Sequence, residues 1–367
     1  MSTRSAEAPH AAARRTALSA ARNDHLDSIR AIGILLVMVG HLPGLPDWLG
    51  LLIYAFHVPL FFWVSGWMID PQRLRGPLGP AVAGVVRRLG VPYVVFFAVS
   101  WLYWMATRGI GDRAAEFAGV SWHEPWVGFL FGVGPAMVVN PTLWFFPCLL
   151  ATTVVFLGMH RLATRWHAGT GLAASLAIAA FGFAMLATAP HFEGRWPWGL
   201  DILPAALVFL SLGQACRVAW PRLLPLLNAG GLTASIAWSA ILVAAAWGAV
   251  RSEPVDMQHL LFGTSPLAFV AMAMAGVAIS ARCAARLPGL APVRWLGRNT
   301  LILFPTHVLI YNFLSGVGKL GLGLSAEAMR TPAAEVAIVA VTLLLSVPVV
   351  AATRRLLDRI DRRLPRP

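Results

Sequence analysis

The sequence alternates long apolar stretches with short polar segments along most of its length. Ten stretches approach or exceed the length that a helix needs to cross about 30 Å of hydrocarbon. Their approximate boundaries are residues 27–45, 49–69, 89–107, 143–159, 171–189, 201–217, 232–250, 260–281, 297–317 and 332–353. The pattern predicts an all-α, polytopic membrane protein, a bundle of about ten transmembrane helices. We place this membrane domain at residues 24–353, between a disordered tail (1–23) and a basic tail (354–367).

One further apolar segment, residues 126–139, lies in the long loop between the third and fourth stretches. Its shorter length favours an interfacial or re-entrant position over a membrane span. If it crossed the membrane, all later loops would change sides, and the arginine-rich segments at residues 282–298 and 354–366 would face outward, against the positive-inside rule. We therefore retain ten spans.

The distribution of charge tests this topology, because cytoplasmic loops of membrane proteins carry an excess of Lys and Arg. With the amino terminus inside, most of the 29 Lys and Arg residues fall on the cytoplasmic side. The six on the outer side are Arg108, Arg113, Arg195, Arg251, Lys319 and Arg330. Both termini are therefore expected in the cytoplasm and the protein in the plasma (inner) membrane, with the lipid bilayer as its partner. The net charge of +13 follows from this bias and indicates no nucleic-acid partner.

The composition supports the same class and limits the chemistry. Hydrophobic residues make up 58% of the chain and charged residues only 12%, unlike a soluble domain. The three cysteines, Cys148, Cys216 and Cys283, lie in or beside different apolar stretches, without the spacing of metal ligands. We interpret them as small apolar side chains and expect no metal site.

The first apolar stretch carries an arginine and a histidine in D-S-I-R-A-I-G-I-L-L-V-M-V-G-H, residues 27–41. Arg30 and His41 are eleven positions apart, which at about 100° per residue returns to nearly the same helix face, about 16 Å further along the axis. Ionisable residues inside a membrane helix are a functional-site hypothesis by default. The alternative for Arg30 is that it reaches the inner headgroups while Asp27 pairs with it.

Other polar residues gather in two more stretches. His57 lies in the second stretch, and Asn299, His307 and Asn312 lie in the ninth. Because an unpaired polar group in hydrocarbon is costly, these side chains should turn inward and meet one another or water. We therefore expect the first, second and ninth spans to surround a polar cavity.

The second and ninth stretches each contain a proline within an apolar run. Pro59, in H-V-P-L-F-F-W-V-S-G-W, is expected to free a backbone carbonyl one turn earlier, and Pro305 to break the ninth helix. Gly66 permits the close approach of a neighbouring helix or a ligand. The almost wholly apolar stretches 232–250 and 332–353 are expected to form scaffold that faces lipid or other helices.

Five motifs occur in order along the chain. They are L-D-S-I-R-A-I-G followed by His41, H-V-P-L-F-F-W-V-S-G-W, R-R-L-G-V-P-Y, L-W-F-F-P-C-L-L and L-G-R-N-T-L-I-L-F-P-T-H. On ten predicted spans, this series resembles the acyltransferase-3 family of transmembrane acyltransferases over nearly the whole chain. The segment F-H-V-P-L-F-F is similar to the branch grouped as fucose 4-O-acetylase-like.

The resemblance implies a ten-helix bundle that moves an acyl group, often acetyl, from a cytoplasmic donor such as acetyl-CoA to a hydroxyl of an extracytoplasmic glycan or glycolipid. The family's spaced arginine and histidine correspond to Arg30 and His41, its F-F-x-x-S-G to residues 61–66, and its late-helix histidine to His307. A neutral imidazole suits a general base, and a guanidinium suits an anionic or carbonyl-bearing donor. We therefore expect His41 to activate the acceptor, Arg30 to orient the thioester, and His307 to complete the catalytic group.

Further residues are assigned to donor binding and to the passage between the two sides. Donor contacts are expected from Ser65, Arg73, Arg75, Arg87 and Arg88. Phosphate binding and anchoring of the topology both remain open for these four arginines. His57, Asn299 and Asn312 are expected to line the substrate passage.

The chain also departs from the family pattern in one motif. Many relatives have a tyrosine and leucines just before the late histidine, where this chain has Phe304, Pro305 and Thr306.

A secondary transporter of a small solute would use similar interrupted helices and buried polar residues, but it should show matching interruptions in two halves. Since no such symmetry is visible, an acyltransferase is favoured and a transporter is the alternative.

Overall fold

The computed structural model describes residues 24–133, 137–166, 171–188, 195–287 and 290–363. The predicted tail over residues 1–23 lies outside these ranges. In the part of the chain that is described, 9 helices are long and apolar enough to cross a membrane. The protein is thus an all-α, polytopic membrane protein, as the hydropathy pattern predicted.

The helices follow one another with short connections. In chain order they are α1 (24–40), α2 (Asp47–Tyr54), α3 (His57–Trp67), α4 (Pro71–Arg75), α5 (Leu78–Thr107), α6 (Asp112–Glu116), α7 (Glu124–Phe131), α8 (Phe145–Trp166), α9 (Gly171–Thr188), α10 (Leu203–Asn228), α11 (Leu232–Arg251), α12 (Pro266–Ala284), α13 (Ala291–Arg298), α14 (Thr300–Gly316), α15 (Ala326–Met329) and α16 (Pro332–Arg363). Two short antiparallel strands, β1 (Val255–Asp256) and β2 (Leu261–Phe262), form a hairpin between α11 and α12.

The nine long segments correspond to the second to tenth predicted stretches. They are Asp47–Trp67, Leu78–Thr107, Pro141–Arg165, Gly171–Thr188, Pro197–Asn228, Leu232–Arg251, Pro266–Ala284, Thr300–Gly321 and Pro332–Arg363. The first predicted span is α1, whose described part is only about 25 Å long and contains Asp24, Asp27 and Arg30. Helix α16 continues to Arg363, so the chain is helical through most of the segment expected to be a basic tail.

The second span is interrupted close to the predicted position. Helix α2 ends at Tyr54 and α3 begins at His57, with Phe56 at φ −145° between them. Pro59 lies in the first turn of α3. Backbone N–H groups in a first turn have no acceptor within the helix, so the N–H that proline lacks breaks no helical hydrogen bond there. The chain therefore changes direction just before the apolar run that contains Ser65.

The ninth span is not broken at Pro305, and this expectation is wrong. Pro305 lies inside the continuous helix α14, and the interruption falls earlier, at Asn299 between α13 and α14. Transmembrane helices tolerate proline where neighbouring groups satisfy the backbone. The missing N–H of Pro305 affects the Leu301 carbonyl one turn earlier. The carbonyl of Pro305 itself accepts a bond from the Asn140 side chain at 2.8 Å, which ties α14 to the segment before α8.

The apolar segment over residues 126–139 does not form a spanning helix in its described part. It contributes most of α7, which has 8 residues and is too short to cross the hydrocarbon. Phe129 of this helix stacks on Tyr93 and Phe97 of α5, with ring centroids 4.9 and 4.4 Å apart. The segment thus packs against the bundle without changing the sides of later loops.

Helices α3 and α10 approach each other at backbone distance. A β-carbon built on Gly66 would lie 1.8 Å from the Leu210 carbonyl oxygen, and one on Gly213 would lie 1.9 Å from the Trp63 carbonyl oxygen. Only glycine fits at such a contact, which is the small-residue packing that membrane helices favour. This contact fixes the position of α3 at the centre of the bundle.

The two stretches predicted to be scaffold are the least buried of the nine spans. In the most apolar 18-residue part of each helix, only 6% of the residues of α11 and 17% of those of α16 are buried within the protein. Because their exposed side chains are nearly all apolar, these faces suit contact with lipid. The inward face of α16 is polar, with buried Glu335, Thr342 and Ser346, and Glu335 accepts a bond from the Gly44 backbone N–H.

Replacing Gly213 by alanine tests the contact between α3 and α10. The new methyl group would overlap the Trp63 carbonyl oxygen, so we expect the helices to separate at a cost of about 1–3 kcal/mol. The melting temperature of the purified protein in detergent should fall by several degrees. Gly158→Ala in α8 is the matched control, because an added β-carbon there would meet no atom of a neighbouring segment within 4 Å. This variant should leave the melting temperature unchanged or raise it. An equal response of the two variants would contradict the close approach.

Candidate active site

Helices α1, α3 and α14 meet in the interior of the bundle, as the distribution of polar residues predicted. The ring of His41, directly after α1, lies 5.1 Å from the ring of His307 in α14, edge to face. Tyr311, one turn further along α14, donates to the Met38 carbonyl at 2.9 Å. Gly33 of α1 lies directly against side chains of α3. The three helices therefore form one packed unit around His41.

Each of the three histidines in this unit bonds to the carbonyl one helical turn earlier. The Nδ1–O distances are 2.8 Å from His41 to Val37, 2.9 Å from His57 to Ile53 and 3.2 Å from His307 to Leu303. Because a carbonyl only accepts, Nδ1 carries the proton of each neutral ring and Nε2 carries the lone pair. His41 thus has the tautomer that a general base needs.

A pocket lies at the His41 end of α1, and we call it the histidine pocket. Its polar lining includes His41, Tyr54, His57, Thr142, Asp256 and His259. Such a concave site with convergent hydrogen-bonding groups is typical of ligand binding. The predicted passage residue His57 lies here, beside His41.

Three lining residues that sequence reasoning missed come from the hairpin between α11 and α12. Asp256 and His259 form an ion pair, with Oδ2 and Nδ1 2.7 Å apart, and Gln258 lies between them. Arg195 bonds to the Gln258 carbonyl and, at 2.6 Å, to Asp201, which anchors the hairpin over the pocket. In the sequence these residues were visible only as a polar run in an outer loop.

A second pocket lies at the Arg30 end of α1, and we call it the basic pocket. Its polar lining consists of Arg30, Ser65, Arg73, Arg88, Thr153 and Thr300. None of the described residues that line it carries a carboxylate. Three guanidinium groups without a lining counter-charge suit an anion such as a phosphate.

The side chain of Arg30 both pairs with Asp27 and lines the basic pocket. Its Nη1 lies 3.5 Å from the Asp27 carboxylate, so the pairing alternative is present. Asp27 is, however, shared with Arg298, whose Nε lies closer, at 2.8 Å. Because the side chain of Arg30 also lines the basic pocket, it keeps hydrogen-bonding capacity for a ligand.

The position of Arg73 is set by a residue that sequence reasoning did not single out. Arg161 of α8 donates to the Arg73 carbonyl at 2.6 Å and to the Gly76 carbonyl at 2.8 Å. One guanidinium thus holds the turn between α4 and α5 against α8. The basic pocket is bounded by this turn.

Two of the predicted donor residues do not line the basic pocket. Arg87 pairs with Asp361 of α16, and the exposed Arg75 lies outside the pocket lining. Adjacent residues of a helix point about 100° apart, so Arg87 and Arg88 face different neighbours. Of the five residues expected to contact the donor, the structure brings Ser65, Arg73 and Arg88 together.

Three of the other predicted residues line neither pocket. Asn299 is buried and donates to the Trp295 carbonyl at 2.7 Å, so it closes the end of α13. Asn312 lines a separate pocket near Lys319, away from His41. His307 is fully buried behind His41, and its Nε2 has no hydrogen-bond partner among the described residues.

The two pockets lie at opposite ends of α1 and α3 and are close to each other at one point. Phe304 of α14 lines both of them, and no other described residue does so. The Asn140 side chain bonds to Ser100 at 3.1 Å and to the Pro305 carbonyl, which supports α14 beside this ring. A ligand in one pocket therefore approaches a ligand in the other at Phe304.

Comparison with known families identifies the family of the chain. A sequence profile of the acyltransferase-3 family, described as an acyltransferase domain, matches residues 23–351. The chain belongs to this family. It is therefore a membrane-embedded acyltransferase, an enzyme that transfers acyl groups. No match was found among curated proteins or solved structures.

Membership of the acyltransferase-3 family favours the enzyme over the transporter alternative. The match extends from the start of α1 into α16, so it covers both pockets. It does not separate the branches of the family, and the fucose 4-O-acetylase-like branch stays a prediction.

The basic pocket predicts that Arg73 and Arg75 differ in ligand binding, although both belong to the short helix α4. Loss of one charge-assisted contact should raise the Kd for coenzyme A about tenfold in Arg73→Gln. Arg75→Gln is the matched control and should bind like the wild type. Calorimetric titration of the detergent-solubilised protein measures both values, and equal Kd values would exclude Arg73 from the site.

Proposed function

We propose that this acyltransferase is an O-acyltransferase of the plasma (inner) membrane, which moves an acetyl group from cytoplasmic acetyl-CoA to a hydroxyl of an extracytoplasmic glycan or glycolipid. The observation that carries the proposal is the pair of pockets at opposite ends of α1, one with three arginines and one with His41. The excess of Lys and Arg near the Arg30 end supports a cytoplasmic location for this end and for both termini.

The donor is proposed to occupy the basic pocket. Arg73 and Arg88 are suited to the phosphates of an acyl-CoA, and Ser65 supplies a hydroxyl beside them. Arg30 is positioned to orient the thioester group with its planar fork of N–H donors. The inner pocket thus favours a donor that is anionic at one end and bears a carbonyl at the other.

The acceptor is proposed to occupy the histidine pocket. The side chains of Asp256, Gln258 and His259 offer acceptors and donors to several neighbouring hydroxyls, as in a sugar ring. The carboxylate of Asp256 disfavours an anionic acceptor at this position, because like charges repel each other. A hydroxyl-rich, uncharged sugar therefore fits this pocket better than an acidic one.

The transfer is proposed to be direct. Nε2 of His41 accepts the proton of the acceptor hydroxyl, whose oxygen attacks the thioester carbonyl. The new C–O ester bond forms as the C–S bond breaks, and the proton passes from His41 to the coenzyme A thiolate. His307, edge to face with His41, holds the ring in place, and His57 borders the acceptor.

The His41→Ala variant tests the proposed function. Because the base is removed, we expect transfer of labelled acetyl from acetyl-CoA to membrane glycans to fall by about 10²-fold or more. Membranes with equal amounts of protein are compared, and the acetylated glycans are identified by mass. His123→Ala is the control, since this exposed histidine lines neither pocket, and it should transfer like the wild type. Retained transfer in His41→Ala would overturn the assignment of the base.

A further inference from the structure

The aromatic ring of Phe304 is part of the wall between the two pockets. Phe304 lines the basic pocket on one side and the histidine pocket on the other. Under the proposed function, the thioester carbonyl reaches the acceptor hydroxyl at this wall. The chain of the acyl group, which points away from the thioester sulfur, must then lie beside the same ring.

Two further phenylalanines enclose the corner of the basic pocket next to Phe304. The centroid of the Phe304 ring lies 5.9 Å from that of Phe61 and 5.1 Å from that of Phe145. The rings of Phe61 and Phe145 are 6.1 Å apart. The three rings form a closed triangle of mutual contacts, and all three line this corner of the basic pocket.

The backbone beneath the Phe304 ring is firmly held. Phe304 lies within the continuous helix α14, and the next carbonyl, that of Pro305, accepts a bond from Asn140. The ring is only 6% exposed and also borders His307, with centroids 6.4 Å apart. Because backbone movement is restricted, the size of the side chain at position 304 sets the space in the corner.

We infer that Phe304, supported by Phe61 and Phe145, limits the acyl group that this enzyme transfers to a short chain such as acetyl. The inference rests on the proposed function, because it takes the basic pocket as the donor site. The transfer itself is unchanged: the ester C–O bond forms, the thioester C–S bond breaks, and coenzyme A leaves as the thiol. Phe304 is a specificity-determining residue that touches the acyl chain.

The test compares the binding of acetyl-CoA and hexanoyl-CoA to the full-length protein in detergent. The wild type should bind hexanoyl-CoA at least about tenfold more weakly than acetyl-CoA, since added methylenes meet the phenylalanine corner. In Phe304→Ala, this ratio of Kd values should fall to about twofold or less. Phe304→Leu, which keeps more of the bulk, should give an intermediate ratio and guards against misfolding of the smaller variant.

Phe313→Ala is the matched control for the chain-length test. Phe313 lies on the same helix but is 53% exposed and lines neither pocket, so its variant should keep the wild-type ratio. A wild-type ratio in both Phe304 variants, with acetyl-CoA still bound, would overturn the inference and leave the donor site intact. Absence of binding of either acyl-CoA by the wild type would overturn the donor assignment and this inference together.

Discussion

Hydrocarbon offers no hydrogen-bond partner, and this constraint determines where the polar groups of this protein lie. The histidine directly after α1 and those in α3 and α14 each bond through Nδ1 to the carbonyl four residues earlier, so only Nε2 is directed elsewhere. Asn140, which is fully buried, bonds to Ser100 and to the carbonyl of Pro305. The same bonds that make these groups tolerable inside the membrane also orient His41 and support α14 beside Phe304.

A second constraint follows from the different linings of the two pockets. The pockets have opposite character, cationic at one end and rich in hydroxyl-binding groups at the other, and they meet only where α14 contributes Phe304. Helix α3 extends from one pocket to the other, with His57 at its start and Ser65 near its end. Its glycine contact with α10 therefore keeps both pockets in register. Packing at Gly66 and Gly213 is in this sense part of the site.

The membrane class, nine of the spans and the family were predictable from sequence, because each depends on local hydropathy or on short motifs. The packing of the first, second and ninth spans against one another was also predicted, since costly polar residues must turn inward. The structure divides their polar residues between two pockets, with Arg30 in one and His41 and His57 in the other. The assignments of Arg75, Arg87, Asn299 and Asn312 to those pockets were not matched. Position in a sequence gives the depth of a residue along a helix, whereas its neighbours depend on how the helix is rotated against others.

By itself, the sequence determined the long apolar helices and their order along the chain. These properties arise within a single segment from its hydropathy and from the helical repeat. Only the tertiary structure decided that the hairpin carrying Asp256 lines the pocket of His41, and that Phe304 is the one described residue that lines both pockets. Both depend on contacts between segments far apart in the chain, which packing of the whole bundle selects and no local pattern records.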